Sequence, residues 1–280
     1  MAIVAMMAGL NSRLVAQAET DYRAPDASAV LPVWAGVAPG SEGQTGAEHW
    51  EERGKNGVLD RAVSVVHRPA LTVYLPPQGT ATGVGILIAP GGGYEKVVID
   101  KEGYAVARWC AAHGIVGVVL KYRLAATKDA HYTPNTALLD ARQALKDVRA
   151  HAAEWGIAPG KLGMAGFSAG GNLTARAGTQ LPVAERPAFL VLMYASVPKD
   201  FGPVPADTPP TFIAQADDDQ IGVENSVRFY EAARANHLSP ELHLFVHGKH
   251  GFGLGTGKGP VEEWPGLFLR WLISAGFLPS

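Results

Sequence analysis

The sequence predicts an α/β protein built on one mainly parallel sheet with helices on both faces. From Leu71 onward, short β-branched or aliphatic runs alternate with longer amphipathic stretches, the pattern of repeated strand-helix-strand units. Most of the strand runs are too apolar for a sheet with one wet face, so they read as central strands covered on both sides. A chain of 280 residues, 47% apolar and 18% charged, suits one large domain with a sizeable core.

Residues 1–30 read as an N-terminal arm or signal segment, and residues 31–280 as a single domain. Ala2 to Leu10 is apolar and Ala16-Gln17-Ala18 suits a small-residue cleavage site, but Met1 runs straight into Ala2-Ile3-Val4 and the first arginine is Arg13. A cleaved signal would make the protein secreted or periplasmic; a frayed arm would leave it cytoplasmic. The stretch to about Asn56 is rich in Pro, Gly, Glu and Trp without a sustained period, which predicts irregular structure.

Strands are predicted at Leu71 to Leu75, Val84 to Ala89, Ile115 to Lys121, Leu162 to Phe167, Phe189 to Tyr194, Thr211 to Ala216 and Leu242 to Val246. Helices fall between and after them, at about Lys101 to His113, Thr136 to Trp155, Gly171 to Gln180, Val223 to Asn236 and Val261 to Ser274. Val197 to Pro210 carries five prolines and reads as a stiff connection. It is too short to hold an inserted cap domain, which predicts an open site.

A formal charge of −2 with scattered basic residues excludes a nucleic-acid footprint. No apolar run is long enough to span a bilayer. The one cysteine, Cys110, sits in an apolar helical run and reads as a buried small hydrophobe; alone, it leaves the redox compartment open.

The chemistry starts at Leu162 to Gly171, a strand, a tight turn and a helix start with G-x-S-x-G at the turn. A nucleophilic serine has to project from a strained strand-to-helix turn, and flanking glycines remove side chains that would collide there. Ser168 is therefore the candidate nucleophile, with the Ala169 N–H at the helix start facing the developing oxyanion. The loop Ala89-Pro90-Gly91-Gly92-Gly93-Tyr94 follows a very apolar strand and lacks both the G-x-G-x-x-G and the P-loop patterns. Its Gly92 and Gly93 amides complete a three-donor oxyanion hole.

A serine hydroxyl needs a base, and the base needs an acid to hold its tautomer. In the order Ser, Asp or Glu, His, the sequence offers Asp217-Asp218-Asp219 after the sixth predicted strand and His247 and His250 after the seventh. His250, between glycines, is the candidate base, with His247 in reserve. The chemistry of the triplet does not choose among its aspartates. Tyr94, Lys96, Asp100, Lys101, Tyr122 and Arg123 can shape the pocket or serve the fold. Asp100-Lys101-Glu102 reads first as a helix-capping cluster and Arg123 as the partner of a carboxylate; Tyr94 is kept as a candidate substrate contact.

From about Leu31 onward the chain resembles the acetyl xylan esterase-like and hormone-sensitive-lipase-like branch of the α/β hydrolases. The resemblance rests on Pro90 to Tyr94, Asp100 to Gly103, Leu120 to Leu124, Gly166 to Gly171, Val223 to Ser226 and Gly248 to Gly253. It implies an α/β-hydrolase fold without a large cap. Counting back eight positions from Ser226, as the family's spacing implies, selects Asp218 as the acid, although Ile221-Gly222 stands for the family's Val-Pro and Gln215 stands where a histidine is common. It further implies a serine carboxylesterase for short-acyl esters, carbohydrate esters such as acetylated xylan among them, with Pro90 in place of the lipase-like histidine. No metal or organic cofactor is implied, and the partner is a small-molecule or carbohydrate ester rather than nucleic acid or membrane. Oligopeptidase-like or lipase-like hydrolysis and a non-catalytic binding scaffold are the alternatives.

Overall fold

The computed structural model describes residues 24, 26–55, 58–128 and 130–279; the candidate signal segment, residues 1–18, lies outside them. Eight strands form one sheet, in spatial order β1-β4-β6-β5-β7-β8-β9-β10. They are β1 (Ala29–Pro32), β4 (Ala70–Tyr74), β5 (Gly85–Ala89), β6 (Val116–Lys121), β7 (Leu162–Phe167), β8 (Leu190–Met193), β9 (Thr211–Ala216) and β10 (Glu241–Phe245). The β1–β4 and β4–β6 pairs are antiparallel and every other neighbour in the sheet is parallel. A separate antiparallel pair joins β2 (His49–Glu52) and β3 (Arg61–Ser64).

Every residue of β5, β7, β8 and β9 is buried, which is why their sequences run apolar without alternation. Their side chains still divide by twos. In β8, Leu190 and Leu192 pack with Ile213 and with Phe229 of α5 (Glu224–Ala235), while Val191 and Met193 join the larger cluster that holds Phe212 and Trp264, Phe268 and Trp271 of α6 (Trp264–Ser274). The proline-rich connection feeds Val197, Phe201 and Val204 into the first of these clusters, where they help to cover the sheet.

The remaining helices are α1 (Ala105–Ala112), α2 (Pro134–Ala150), α3 (Ala152–Trp155) and α4 (Ala169–Gln180). The start of α2 is set by Pro134 at the first helical position and by Thr136, whose hydroxyl accepts the Thr133 N–H at 3.1 Å. A π-helical turn, Asp100–Tyr104, leads directly into α1. Cys110 is buried in α1, and burial pushes its thiol up to about 12.

Two expectations need correction. The domain begins before residue 31: β1 starts at Ala29, the Ser28 N–H donates to Val73 O at 2.8 Å, and Asp26 forms a two-pronged ion pair with Arg108 of α1 at 2.7 and 2.8 Å. The stretch to Asn56 is also not wholly irregular, because it contains β1 and β2. Both are four-residue strands, too short to establish a period, and β1 is an edge strand that tolerates Pro32.

Arg123, just after β6, ties this N-terminal stretch to the sheet. Its guanidinium and the Asp140 carboxylate of α2 are both fully buried and 2.7 Å apart, and it also donates to Pro39 O at 2.5 Å and Ser41 Oγ at 3.1 Å. Trp34 Nε1–H completes the Asp140 shell at 2.9 Å. Removing one partner of such a pair strands the other charge in the core. Asp140→Ala is expected to lower unfolding free energy by about 3–5 kcal/mol, measured by urea denaturation.

Candidate active site

Parallel strands aim their carboxyl ends at one edge of the sheet, and the candidate residues follow those ends: Pro90 to Tyr94 after β5, Ser168 after β7, Asp217 to Asp219 after β9 and His247 to Gly253 after β10. Ser168 sits between β7 and α4 at φ 52° and ψ −115°, a conformation costly for a residue with a Cβ. Its N–H donates to Met193 O and its carbonyl accepts the Asn172 and Ser196 N–H groups, each at 3.0 Å. The turn closes only because of its glycines. A Cβ at Gly166 would lie 2.1 Å from Gly170 O, and one at Gly170 would lie 1.9 Å from Ala89 O.

The sheet edge brings Ser168 and His250 together: His250 Nε2 is 2.9 Å from Ser168 Oγ. Its other ring nitrogen, Nδ1, is 2.8 Å from Oδ2 of Asp219. A carboxylate only accepts, so Nδ1 carries the proton and Nε2 is left as an acceptor for the serine hydroxyl. The side chain of Asp219 is 2% exposed and that of His250 26%. Asp219 also accepts from Gln215 Nε2 and from the Ile221 N–H, both at 2.8 Å, and Ser226 Oγ donates to Gln215 Oε1 at 2.8 Å.

Asp218, selected by the family's spacing, is therefore not the carboxylate beside His250. It is 32% exposed, accepts the Lys249 N–H at 2.7 Å, and lies 3.4 Å from Nδ1 of His247, itself 71% exposed. The Lys249 N–H holds its carboxyl below the usual range. The reason is the turn after β9. The Asp217 N–H continues the ladder to Phe245 O, and the Asp219 N–H closes back on Ala216 O. That closure draws the third aspartate inward and leaves the second facing the β10 loop. Asp217 is exposed, and His247 pairs with Asp218 rather than with Ser168.

Among the described residues, the N–H groups of Gly92, Gly93 and Ala169 donate to no protein acceptor. The glycine loop is nonetheless closely held: Gly92 O accepts the Glu95 and Lys96 N–H groups at 3.1 Å, and Tyr122 OH donates to Pro90 O at 2.7 Å. Gly92 has φ 127°, and a Cβ there would sit 2.2 Å from Lys96 O. Three free amides beside a serine hydrogen-bonded to histidine form an arrangement able to receive a developing oxyanion.

Tyr94 donates to Asn172 Oδ1 at 2.9 Å, and Asn172 Nδ2 donates to Ser196 O at 2.7 Å, so Tyr94 anchors the glycine loop to α4. Lys96 pairs with Glu51, and Asp100 pairs with Arg61 of β3 at 2.7 Å instead of capping a helix. Gln215 and Ser226 entered the sequence reading only as a departure and a counting mark. Their bonds show that they hold Asp219, and the only hint was their spacing of 11 residues, which puts the hydroxyl of α5 against the end of β9.

Residues 71–186 match the BD-FAE family. An acetylxylan esterase of Xylanibacter ruminicola is 31% identical over 218 residues, 66% of this chain and 44% of the relative, so the chain spans less than half of that protein's length. The structure of an acetyl ester-xyloside bifunctional hydrolase from Caldicellulosiruptor lactoaceticus is similar at a TM-score of 0.70 and 28% identity, covering 89% of this chain and 97% of that one. A carboxylesterase from Lactobacillus plantarum shares the fold at a TM-score of 0.66 and 22% identity, covering 83% and 99%.

The contacts of the two aspartates separate their roles. Asp219→Asn, which offers Nδ1–H an ambiguous partner, is expected to slow fluorophosphonate labelling of Ser168 by roughly 10³-fold or more, while Asp218→Asn leaves the rate within about threefold of wild type. Equal losses in the two variants would contradict this assignment.

Proposed function

We propose that this chain, which has the α/β-hydrolase fold and whose residues 71–186 match the BD-FAE family, is a serine carboxylesterase releasing short acyl groups, acetate above all, from carbohydrate esters. The observation that carries the reading is the continuous line from Asp219 through His250 to Ser168, at 2.8 and 2.9 Å, beside three amides with no acceptor among the described residues.

In this reading His250 takes the Ser168 proton as Oγ attacks the ester carbonyl, and Asp219 stabilises the imidazolium that forms. The Gly92, Gly93 and Ala169 amides bind the oxyanion, each such donor contributing about 3–4 kcal/mol to the transition state. His250 then protonates the departing alcohol. Water, deprotonated by the same nitrogen, attacks the acyl-enzyme and releases the carboxylic acid.

A cleft with polar side chains in part of its lining can meet an alcohol rich in hydroxyls. It has a volume of about 510 Å³ and is lined in part by Ser64, His67, Glu95, Thr127 and Lys128. Glu95 directly follows Tyr94, and the Ala126 N–H donates to Tyr94 O at 3.1 Å, which puts the cleft next to the glycine loop. The similarity to an acetylxylan esterase and to an acetyl ester-xyloside hydrolase supports the same substrate class.

Three measurements test this. Ser168→Ala is expected to abolish turnover of p-nitrophenyl acetate while the protein stays folded. Across p-nitrophenyl acetate, butyrate and octanoate, kcat/KM is expected to fall with chain length, and acetylated xylo-oligosaccharides are expected to release acetate. Preference for octanoate would refute the short-acyl assignment, and failure to deacetylate any sugar ester would refute the carbohydrate one.

A further inference from the structure

We propose that Glu102 is a positioning residue that couples the glycine loop to the histidine loop, so that the oxyanion donors and the general base keep one shared geometry around Ser168. The inference rests on the esterase reading and adds to it a residue outside the triad and the oxyanion hole.

Glu102 lies in the π-helical turn before α1, an irregularity often found near functional sites. Its side chain is buried and both of its oxygens are used as acceptors. Oε2 receives the Gly91 N–H at 2.8 Å, and Oε1 receives the Tyr194 hydroxyl at 2.9 Å. The Tyr194 oxygen in turn accepts the Gly253 N–H at 3.0 Å, which leaves its own proton free for Glu102. One carboxyl group thus joins the loop after β5, the residue after β8 and the loop after β10.

Both ends of this chain touch the reacting groups. Gly91 immediately precedes the two donor glycines, and a Cβ on it would lie 2.9 Å from Ser168 Cβ, 2.6 Å from Phe167 O and 2.8 Å from Glu102 Oε2. At the other end, the Tyr194 ring stands edge-on to the His250 imidazole at 5.0 Å and to Phe252 at 4.4 Å, within the loop that Gly253 closes. Tyr194 itself is held at φ 37°.

Packing alone does not explain a carboxyl here. Burial pushes the Glu102 carboxyl up, against the pull of the Gly91 N–H and the Tyr194 hydroxyl, and an apolar side chain of similar volume would avoid that cost. What an apolar side chain could not do is accept from two loops at once. Glutamine fills the same space but has one acceptor oxygen: with that oxygen kept on the Gly91 N–H, its amide nitrogen meets the Tyr194 hydroxyl, whose proton then loses the acceptor that Glu102 Oε1 supplies. Tyr194→Phe cuts the other link by deleting a single oxygen.

The test is steady-state hydrolysis of p-nitrophenyl acetate by wild type, Glu102→Gln, Tyr194→Phe and the double variant, with thermal melts on each. Each single variant is expected to lose about 10- to 100-fold in kcat with KM within about twofold, because the groups are misplaced while the substrate surface is intact. The double variant is expected to lose no more than about the larger single loss, since both changes cut one connection. Wild-type kcat in folded single variants, or losses that multiply in the double variant, would overturn the proposal. If Glu102→Gln fails to fold, Tyr194→Phe decides alone. Failure of the wild type itself to turn over the ester or to react with a fluorophosphonate would instead sink the esterase reading.

Discussion

Ser168 occupies a backbone conformation that costs a residue with a Cβ on the order of 1–3 kcal/mol, and the surrounding structure is arranged to make any other conformation worse. Three backbone hydrogen bonds, to Met193, Asn172 and Ser196, pin it between β7, α4 and the segment after β8. Gly166 and Gly170 let the helix close on the strand, and Gly170 also lets α4 approach Ala89 at the end of β5. The elbow therefore depends on three adjacent parallel strands being in register, and the glycine loop depends on the elbow, because Gly91 is wedged against Phe167 and Ser168. Strain at one residue is maintained by the packing of the whole sheet edge.

That dependence explains which parts of the architecture were legible in the sequence. β4 to β9 could be read because strands covered on both faces are apolar almost throughout, and the intervening helices because one face of each meets the sheet; β10, read as one more central strand, is instead a half-buried edge strand whose apolar residues only mimic that pattern. β1, β2 and β3 were not, since four residues of mixed polarity carry no period and their pairing is decided by distant partners. The motif at Ser168 was legible for the same reason that the elbow is strained: only glycine fits at 166 and 170, so the steric constraint is written directly into residue types.

The acid was a different kind of problem. Asp217, Asp218 and Asp219 are chemically identical, and a turn of one residue decides which of them enters the sheet edge. Counting from Ser226 assumed a loop of the family's length and shape, whereas Ile221-Gly222 replaces Val-Pro here and Gly222 adopts φ 119°. The decisive contacts are the Gln215 and Ile221 bonds to Asp219, which belong to the folded loop and leave no periodic or compositional trace.

The buried polar groups around the site follow one pattern. Asp219 is held by Gln215, Gln215 by Ser226, the glycine loop by Tyr122 and Tyr94, and both active loops by Glu102. Each bond replaces hydration that the group lost on burial, so none adds much net stability by itself, yet losing one partner leaves the other desolvated. A network of this kind resists displacement more than it raises the unfolding free energy. That suits a site in which a hydroxyl, an imidazole and three amides must keep their places, groups that follow three different strands and that no local segment could hold together.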